Sequence, residues 1–380
     1  MILKREAFNL IKEKIERGKV LVIYGPRRVG KTFLLKQLIK DDFFKKEKIS
    51  FLKGDRKVVS DIFSSGNLNL IKDLIGKDTT LFILDEAQKI ENIGENLKLL
   101  IDEVPQLKII ASGSASFELA SQLGEPLTGR KKMIKLYPIW VKELIEIEGK
   151  LFYEEIFEQH LIYGGYPEVF SKNSIREKRE YLEELVSDYL FRDILELENI
   201  KNSKKLRDLL TLLAFQIGKE VSLNELGNIL DLHKNTVARY LDLLEKSFII
   251  INIRGFSRNL RKEVYKTSRY YFYDNGVRNA VINNFNPLNL RDDLGQLWEN
   301  YIVTERLKKQ MYQNIFSNNY FWRTYTKKEI DWVEERGGKL YGYEIKWKKE
   351  KEKPPNDWLL TYKNASYKLI TKENYLSFVV

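Results

Sequence analysis

The sequence predicts an α/β protein: a parallel sheet that carries a phosphate loop, then a helical segment, a winged helix-turn-helix unit and a second α/β unit. Three observations predict it. Short apolar runs alternate with helical stretches up to about residue 140. The segment Gly25-Pro26-Arg27-Arg28-Val29-Gly30-Lys31-Thr32 follows the first of these runs and opens a helix. Beyond residue 329, two strand-like runs flank Gly337-Gly338.

Residues 4–17 have helical periodicity, with Phe8, Ile11 and Ile15 on one face. Val20 to Tyr24 (VLVIY) is apolar throughout and ends at Gly25, as suits a strand buried on both faces. Lys31 to Lys40 reads as a helix, 49–52 as a second strand, 81–84 (LFIL) as a third and 107–111 (LKIIA) as a fourth. Residues 141–213 are mostly helical by period. Residues 222–246 give two short helices around a polar turn, followed by the strand-like FIIINIRGF. These divisions set expected domains at 1–145, 146–212, 213–270 and 271–380.

Composition narrows the chemistry. The 380 residues include no cysteine, which excludes disulfides, thiolate zinc sites and cysteine nucleophiles. His160 and His233 are the only histidines, too few for a histidine metal cluster. A metal here is expected to be a hard cation held by carboxylates and phosphates, Mg²⁺ first. No run of about 18 uncharged apolar residues occurs, so no membrane partner is expected. The opening MILKREAFNL is charged and unlike a signal peptide, which makes a cytoplasmic location the expectation. A net charge of +11 suits an anionic partner, and equally suits a lysine-rich solvated surface.

The residue types of the phosphate loop follow from what it holds. Gly25 and Gly30 let backbone N–H groups close on phosphate oxygens, and the helix N-terminus adds its dipole. Lys31 reaches the β- and γ-phosphates, and Thr32 offers its hydroxyl to Mg²⁺. Pro26, Arg27, Arg28, Val29 and Phe33 complete the expected nucleotide contacts. Asp85 and Glu86 end the third apolar run, where a carboxylate faces the ligand crevice of an open α/β sheet. Asp85 suits support of Mg²⁺, and Glu86 suits the base that orients the attacking water. Ser112, Gly113 and Ser114 follow the fourth run and bring polar groups to the same edge; Ser-Gly-Ser is also an ordinary loop sequence. Arg130 is a candidate phosphate contact in its own or a neighbouring subunit, with an ordinary surface role as the alternative.

GPRRVGKT, LFILDEAQK, IIASGS and GEPLTGR together resemble prokaryotic, especially archaeal, AAA+-type ATPases, in particular a group with a C-terminal domain long labelled as of unknown function. YGGYPEVF (163–170), YYFYDNG (270–276) and the EIDWV…YEIKW pattern extend the resemblance over most of the chain. It implies an ATPase core that uses ATP and Mg²⁺, with Ser112 as the sensor polar residue, Arg130 as the distinctive Gly-Arg arginine and a helical lid. A second sensor arginine has no clear position; Arg192 is one candidate, a helix-surface role the other.

In 222–246, Leu223, Leu226 and Leu230 mark one apolar face and Val237, Leu241 and Leu244 another, while Lys234, Arg239 and Lys246 add positive charge. This is a helix-turn-helix pattern, and His233 is expected to cap or pack in its turn. Residues 254–269 then set Arg254, Arg258, Arg261, Lys262, Lys266 and Arg269 against Glu263, interleaved with Phe256 and Tyr265. Double-stranded DNA is the expected partner of such a strip; a structural or protein-docking winged helix is the alternative.

Asp331 on one run and Glu344 and Lys346 on the next resemble the restriction-endonuclease-like signature of an acid followed by Glu-x-Lys. That resemblance implies Asp331 and Glu344 as metal ligands, Lys346 as the lysine that activates water and Glu299 as an assisting acid. The competing reading is a Glu344–Lys346 ion pair on a solvated strand. Two functions follow: an ATPase coupled to a DNA-binding winged helix and a nuclease-like domain, or a nucleotide-dependent switch that acts on a protein partner or a homo-oligomer. Close, accessible Asp331 and Glu344 carboxylates would favour the first; buried or separated ones would count against a nuclease.

Overall fold

The computed structural model describes residues 4–114, 126–190, 203–257, 268–324, 326–348 and 354–380. The chain divides into two units, Met1–Tyr137 with Lys246–Phe248, and Pro138–Glu245 with Ile249–Val380.

The first unit is built on a five-stranded sheet. In chain order it contains α1 (Ala7–Lys14), β1 (Val20–Tyr24), α2 (Lys31–Ile39), β2 (Ile49–Lys53), α3 (Lys57–Ser64), α4 (Leu68–Ile75), β3 (Leu81–Asp85), α5 (Ile93–Glu103), β4 (Lys108–Gly113) and β5 (Lys131–Lys135). The strands lie in the order β2-β3-β4-β1-β5, and every pair is parallel. Leu81, Phe82, Ile83 and Leu84 have no exposed surface, because helices cover both faces of a parallel sheet. Each such side chain contributes about 1.5–3 kcal/mol of burial. This order inserts β4 between the phosphate-loop strand and the strand that ends in Asp85. The register sets Ile23 beside Ser112, and Leu84 beside Ala111.

β5 has no counterpart in the sequence reading. Its sequence, KKMIK, is a half-buried edge strand with too few apolar residues to announce itself.

The second unit opens with α6 (Val141–Tyr163), which is kinked at Gly149, and α7 (Ile175–Glu184). It continues with α8 (Ser203–Phe215), β6 (Glu220–Val221), α9 (Leu223–Leu230), α10 (Lys234–Lys246), β7 (Ile250–Gly255) and β8 (Ser268–Phe272). α9 and α10 are the two helices expected within 222–246. Then come α11 (Asn275–Val281), α12 (Leu294–Tyr312), β9 (Asn318–Arg323), β10 (Glu329–Arg336), β11 (Lys339–Ile345), α13 (Asn356–Thr361), β12 (Ala365–Ile370) and α14 (Tyr375–Val379). β10 and β11 form the expected hairpin. Gly337 and Gly338 both have positive φ, as a two-residue turn matched to strand twist requires.

The expected boundary at 270/271 falls inside β8. Seven strands form one sheet, in the order β12-β11-β10-β9-β7-β8-β6. The hairpin of the helix-turn-helix region joins the C-terminal strands through β7 and β9, which run parallel with Arg254 beside Tyr320 and Gly255 beside Phe321. Phe256, expected in the basic strip, is buried against Trp322, Ile330, Val333 and Trp358 in the C-terminal core.

The motifs YGGYPEVF and YYFYDNG meet each other. Asp274 caps α11 through the Val277 N–H and accepts from the Gly165 N–H at 2.6 Å. A Cβ on Gly276 would stand 2.1 Å from the Tyr163 carbonyl oxygen, so only glycine fits there. Asn275 donates to the carbonyls of Leu161 and Leu297, and Asn279 donates to that of Ile162. These residues form a buried polar clasp.

Candidate nucleotide site

β1 delivers the chain to Gly25, whose backbone passes under Leu136. A Cβ there would lie 2.2 Å from the Leu136 carbonyl oxygen. Gly30 has φ 94° and starts α2, so the first free N–H groups of that helix open toward the loop. Lys31 is 5% exposed and donates to the Gly25 and Pro26 carbonyls at 2.9 and 2.7 Å. Arg28 has φ 60°, a conformation that costs a non-glycine residue of the order of 1 kcal/mol.

Asp85 is 1% exposed. One of its oxygens accepts from the Thr32 hydroxyl at 2.7 Å, and the other accepts from the Ser112 hydroxyl. Three residues from three separate elements thus converge, because β4 stands between β1 and β3. Glu86 begins the next turn at φ 55° and ψ 42°, in the left-handed region. Its carboxylate accepts from Gln88 Nε2 at 2.6 Å, and the same nitrogen donates to Ser114 at 2.9 Å. Ser112 and Ser114 therefore attend Asp85 and Glu86 respectively, the second through Gln88. Phe33 is half exposed on the first turn of α2.

The sequence reading assigns no role to two residues of this site. Gln88 lies outside the phosphate-loop motif. Arg5 is 3% exposed and donates to the Val29 carbonyl at 2.8 Å and to the Tyr137 carbonyl at 2.6 Å, bracing the loop from outside.

Arg130 lies elsewhere. Its carbonyl accepts from the Val20 N–H at the amino end of β1, and its guanidinium pairs with Asp102 at the surface. The length of β1, roughly 13 Å at about 3.3 Å per residue, separates it from the phosphate loop. It is not a phosphate contact within its own chain. Arg192, Arg258, Arg261, Lys262, Glu263, Tyr265 and Lys266 lie outside the described residues.

In the second unit the fold does bring Asp331, Glu344, Lys346 and Glu299 into one neighbourhood, with Arg269 among them. Asp331 and Glu344 are each 4% exposed. Arg269 reaches Asp331 at 3.4 Å and Glu329 at 2.6 Å, and the Ile345 N–H donates to the other Asp331 oxygen at 3.0 Å. Glu344 pairs with Lys346 at 2.8 Å. Glu299 is partly exposed and accepts from the Tyr271 hydroxyl at 2.7 Å. Burial of its carboxyl, then the charge of Asp331, pushes its pKa up to about 8. Burial works against the Arg269 cation, but Tyr271, Glu299, Asp331 and Glu329 outweigh it and raise the guanidinium's pKa. A guanidinium thus holds the acid on which a divalent cation would depend. Among the described residues no group of three or more acids or histidines is placed to hold a metal. The Arg269–Asp331 pairing and the burial of Asp331 and Glu344 count against the metal that the Glu-x-Lys resemblance implies. Arg269 is also not part of an exposed basic strip, since it is 3% exposed.

Lys234, Asn235 and Arg239 are exposed along α10, followed by Asp242 and Glu245. His233 accepts from the Asn235 N–H at 3.3 Å and so caps that helix.

Comparison with known proteins fits this geometry. Residues 17–145 match the family model described as AAA domain. The first unit is a nucleotide-binding P-loop domain of AAA type. Beyond this AAA domain, residues 154–288 and 294–373 match two models described as domains of unknown function, DUF8612 and DUF4143. An uncharacterized protein of Mycobacterium tuberculosis is 27% identical over 349 residues, covering 91% of this chain and 74% of its own length. One from Methanocaldococcus jannaschii is 26% identical over 339 residues, with 85% and 74% covered. One from Haemophilus influenzae is 22% identical over 373, with 94% and 89% covered. Bacterial and archaeal relatives both appear, so the archaeal leaning of the resemblance is not supported. Among solved structures, the replication initiator DnaA bound to AMPPCP and single-stranded DNA aligns at 14% identity and TM-score 0.32, over 63% of this chain and 86% of that one. The Aeropyrum pernix ORC1 protein in complex with DNA aligns at 13% and 0.33, over 73% and 90%. Scores this low bear on neither fold nor function. Among the described residues no helix is long and apolar enough to cross a membrane.

Proposed function

We propose that the protein is a Mg²⁺-dependent ATPase whose nucleotide state controls its C-terminal unit. The observation that carries this reading is the joining of Thr32 and Ser112 to the two oxygens of buried Asp85, at the mouth of the phosphate loop. Residues 25–33 hold the nucleotide, with Lys31 neutralising the β- and γ-phosphates. Thr32 and Asp85 are the groups suited to Mg²⁺, which would supply charge neutralisation on the phosphates when bound. Glu86 takes a proton from water as the water oxygen attacks the γ-phosphorus. The bond from that phosphorus to the β-bridging oxygen breaks, and ADP and phosphate leave. Ser112 holds Asp85 in register with Thr32.

For the second unit, the order α12-β9-β10-β11-α13-β12, with an antiparallel β9-β10-β11 meander and β12 parallel to β11, supports a restriction-endonuclease-like core. The Arg269 clamp on Asp331 favours a core that no longer cleaves. The protein then acts as a nucleotide-dependent switch, and the helix-turn-helix offers Lys234, Asn235 and Arg239 to double-stranded DNA.

The test is phosphate release from ATP with and without Mg²⁺, for wild type, Lys31→Ala and Glu86→Gln. Mg²⁺-dependent turnover is expected in wild type. Lys31→Ala should lose nucleotide binding, and Glu86→Gln should bind ATP yet turn over at least 100-fold more slowly. Wild-type turnover by Glu86→Gln would refute the assignment.

A further inference from the structure

Asp85 and Glu86 receive different treatment from the fold, and the difference exposes a residue that the phosphate-loop motif does not include. Both Asp85 oxygens are engaged by hydroxyls on neighbouring elements. The carboxylate of Glu86 is held instead by a single side chain two residues later in its own turn, Gln88. Gln88 is 7% exposed. The left-handed backbone at Glu86 folds the chain so that residues 86 and 88 face each other.

The hydrogen bonds of Gln88 are asymmetric. Its Nε2 donates twice, to Glu86 at 2.6 Å and to Ser114 at 2.9 Å, so both amide protons are used. Its Oε1 is buried and, among the described residues, has no hydrogen-bond partner. A buried amide oxygen left unpaired costs free energy, and native proteins retain such a group where function supplies the partner. The bond to the Glu86 carboxylate, which can only accept, fixes which end of the amide is oxygen. Amide O and N lie about 2.2 Å apart, so Oε1 stands within about 5 Å of the Glu86 carboxylate. Within that bound lies the span of a single water that donates to two acceptors at about 2.8 Å each.

We infer that Gln88 is the positioning residue of the hydrolytic step: Nε2 fixes the Glu86 carboxylate, and Oε1 accepts a hydrogen bond from the attacking water, with Ser114 setting the orientation of the amide. This rests on the reading that Glu86 is the base. In the step itself one water proton passes to Glu86, the other stays hydrogen-bonded to Gln88 and leaves with the phosphate, and the bond to ADP breaks. Gln88 is neither protonated nor consumed. Ser112 lies within β4 and Ser114 directly follows its last residue, Gly113, so one strand end aligns both acids.

The experiment measures steady-state phosphate release and the affinity for a fluorescent ATP analogue in Gln88→Met, Gln88→Glu, Ser114→Ala and Glu86→Gln. Methionine keeps the volume of glutamine and removes both polar atoms. Glutamate keeps an acceptor and loses the donor. The expected result for both Gln88 variants is a fall in kcat of at least tenfold with nucleotide affinity within threefold of wild type. Ser114→Ala should lower kcat about two- to tenfold at unchanged affinity, and it tests the assignment even if Gln88→Met fails to fold. The inference is overturned if Gln88→Met or Ser114→Ala keeps kcat within twofold while Glu86→Gln is inactive, or if their only effect is on affinity. Full turnover by Glu86→Gln is a different failure: it removes the assignment of Glu86 as base and this inference with it.

Discussion

Replacing Arg269 by methionine tests the account of the C-terminal acid cluster. The guanidinium is 3% exposed and faces Asp331, whose side chain is 6% exposed. Removing one member of a buried ion pair leaves the other charge uncompensated, at about 3–5 kcal/mol. The contact with Glu329 adds little, because that carboxylate is 40% exposed and screened. Loss of the guanidinium over Phe321, 4.5 Å from the ring centroid, adds about 1 kcal/mol. The expected loss is therefore about 4–6 kcal/mol, or roughly 8–24 °C in the unfolding midpoint at about 2–4 °C per kcal/mol. Circular dichroism during thermal and urea unfolding reads it directly. Adding Asp331→Asn to Arg269→Met should recover more than half of the loss, since the stranded charge is then gone. A single-variant cost below about 1 kcal/mol would refute the reasoning. So would a rise in the midpoint of nucleotide-free wild type on adding Mn²⁺, if Glu344→Ala abolished that rise, because the acids would then be a metal site.

Three further outcomes are expected. Because the Glu299 pKa is raised to about 8, its contribution to stability is fully present below its unfolded value near 4.5 and is lost as pH rises toward 8. Glu299→Gln should flatten the fall in midpoint between about pH 4.5 and 8, and an unchanged profile would count against the raised pKa. Gly276→Ala should cost about 3 kcal/mol or more, since its Cβ meets a backbone carbonyl, whereas Gly295→Ala, with nothing within 4 Å, should be neutral or stabilising; equal urea midpoints in the two variants would contradict the clasp. The Lys234→Ala/Arg239→Ala double variant should weaken duplex DNA binding and lower the slope of log affinity against log salt by about 2. Unchanged affinity in fluorescence anisotropy would direct attention to a protein partner.

The parts of the molecule that were legible in the sequence are those where one local rule settles the outcome. VLVIY and LFIL announce buried parallel strands because both faces must be apolar. The phosphate loop announces itself because only glycine allows its backbone path. Gly337-Gly338 fixes a two-residue turn and with it the β10–β11 pairing. Arg269 shows where local rules stop. In sequence it belongs to a run of basic residues, and only the pairing of β8 with β7, together with that of β7 with β9, carries it to Asp331. Arg130 follows a glycine like a phosphate-contacting arginine, yet it enters its strand at the end away from the loop. Gln88 was hidden because its role depends on the left-handed turn at Glu86, which the letters DEAQ do not encode.

The β7–β9 seam has a practical consequence. Its register covers two residue pairs, extended by the Phe256 N–H donating to the Phe321 carbonyl at 2.7 Å. Expressing residues 271–380 alone would cut β8 in two and strip β7 from β9. The fragment would present an open strand edge beside the apolar pocket vacated by Phe256. Such fragments are expected to self-associate or precipitate. The seam also makes β7 and the C-terminal strands one sheet: a pull on β7 passes through backbone hydrogen bonds into β9 and β10.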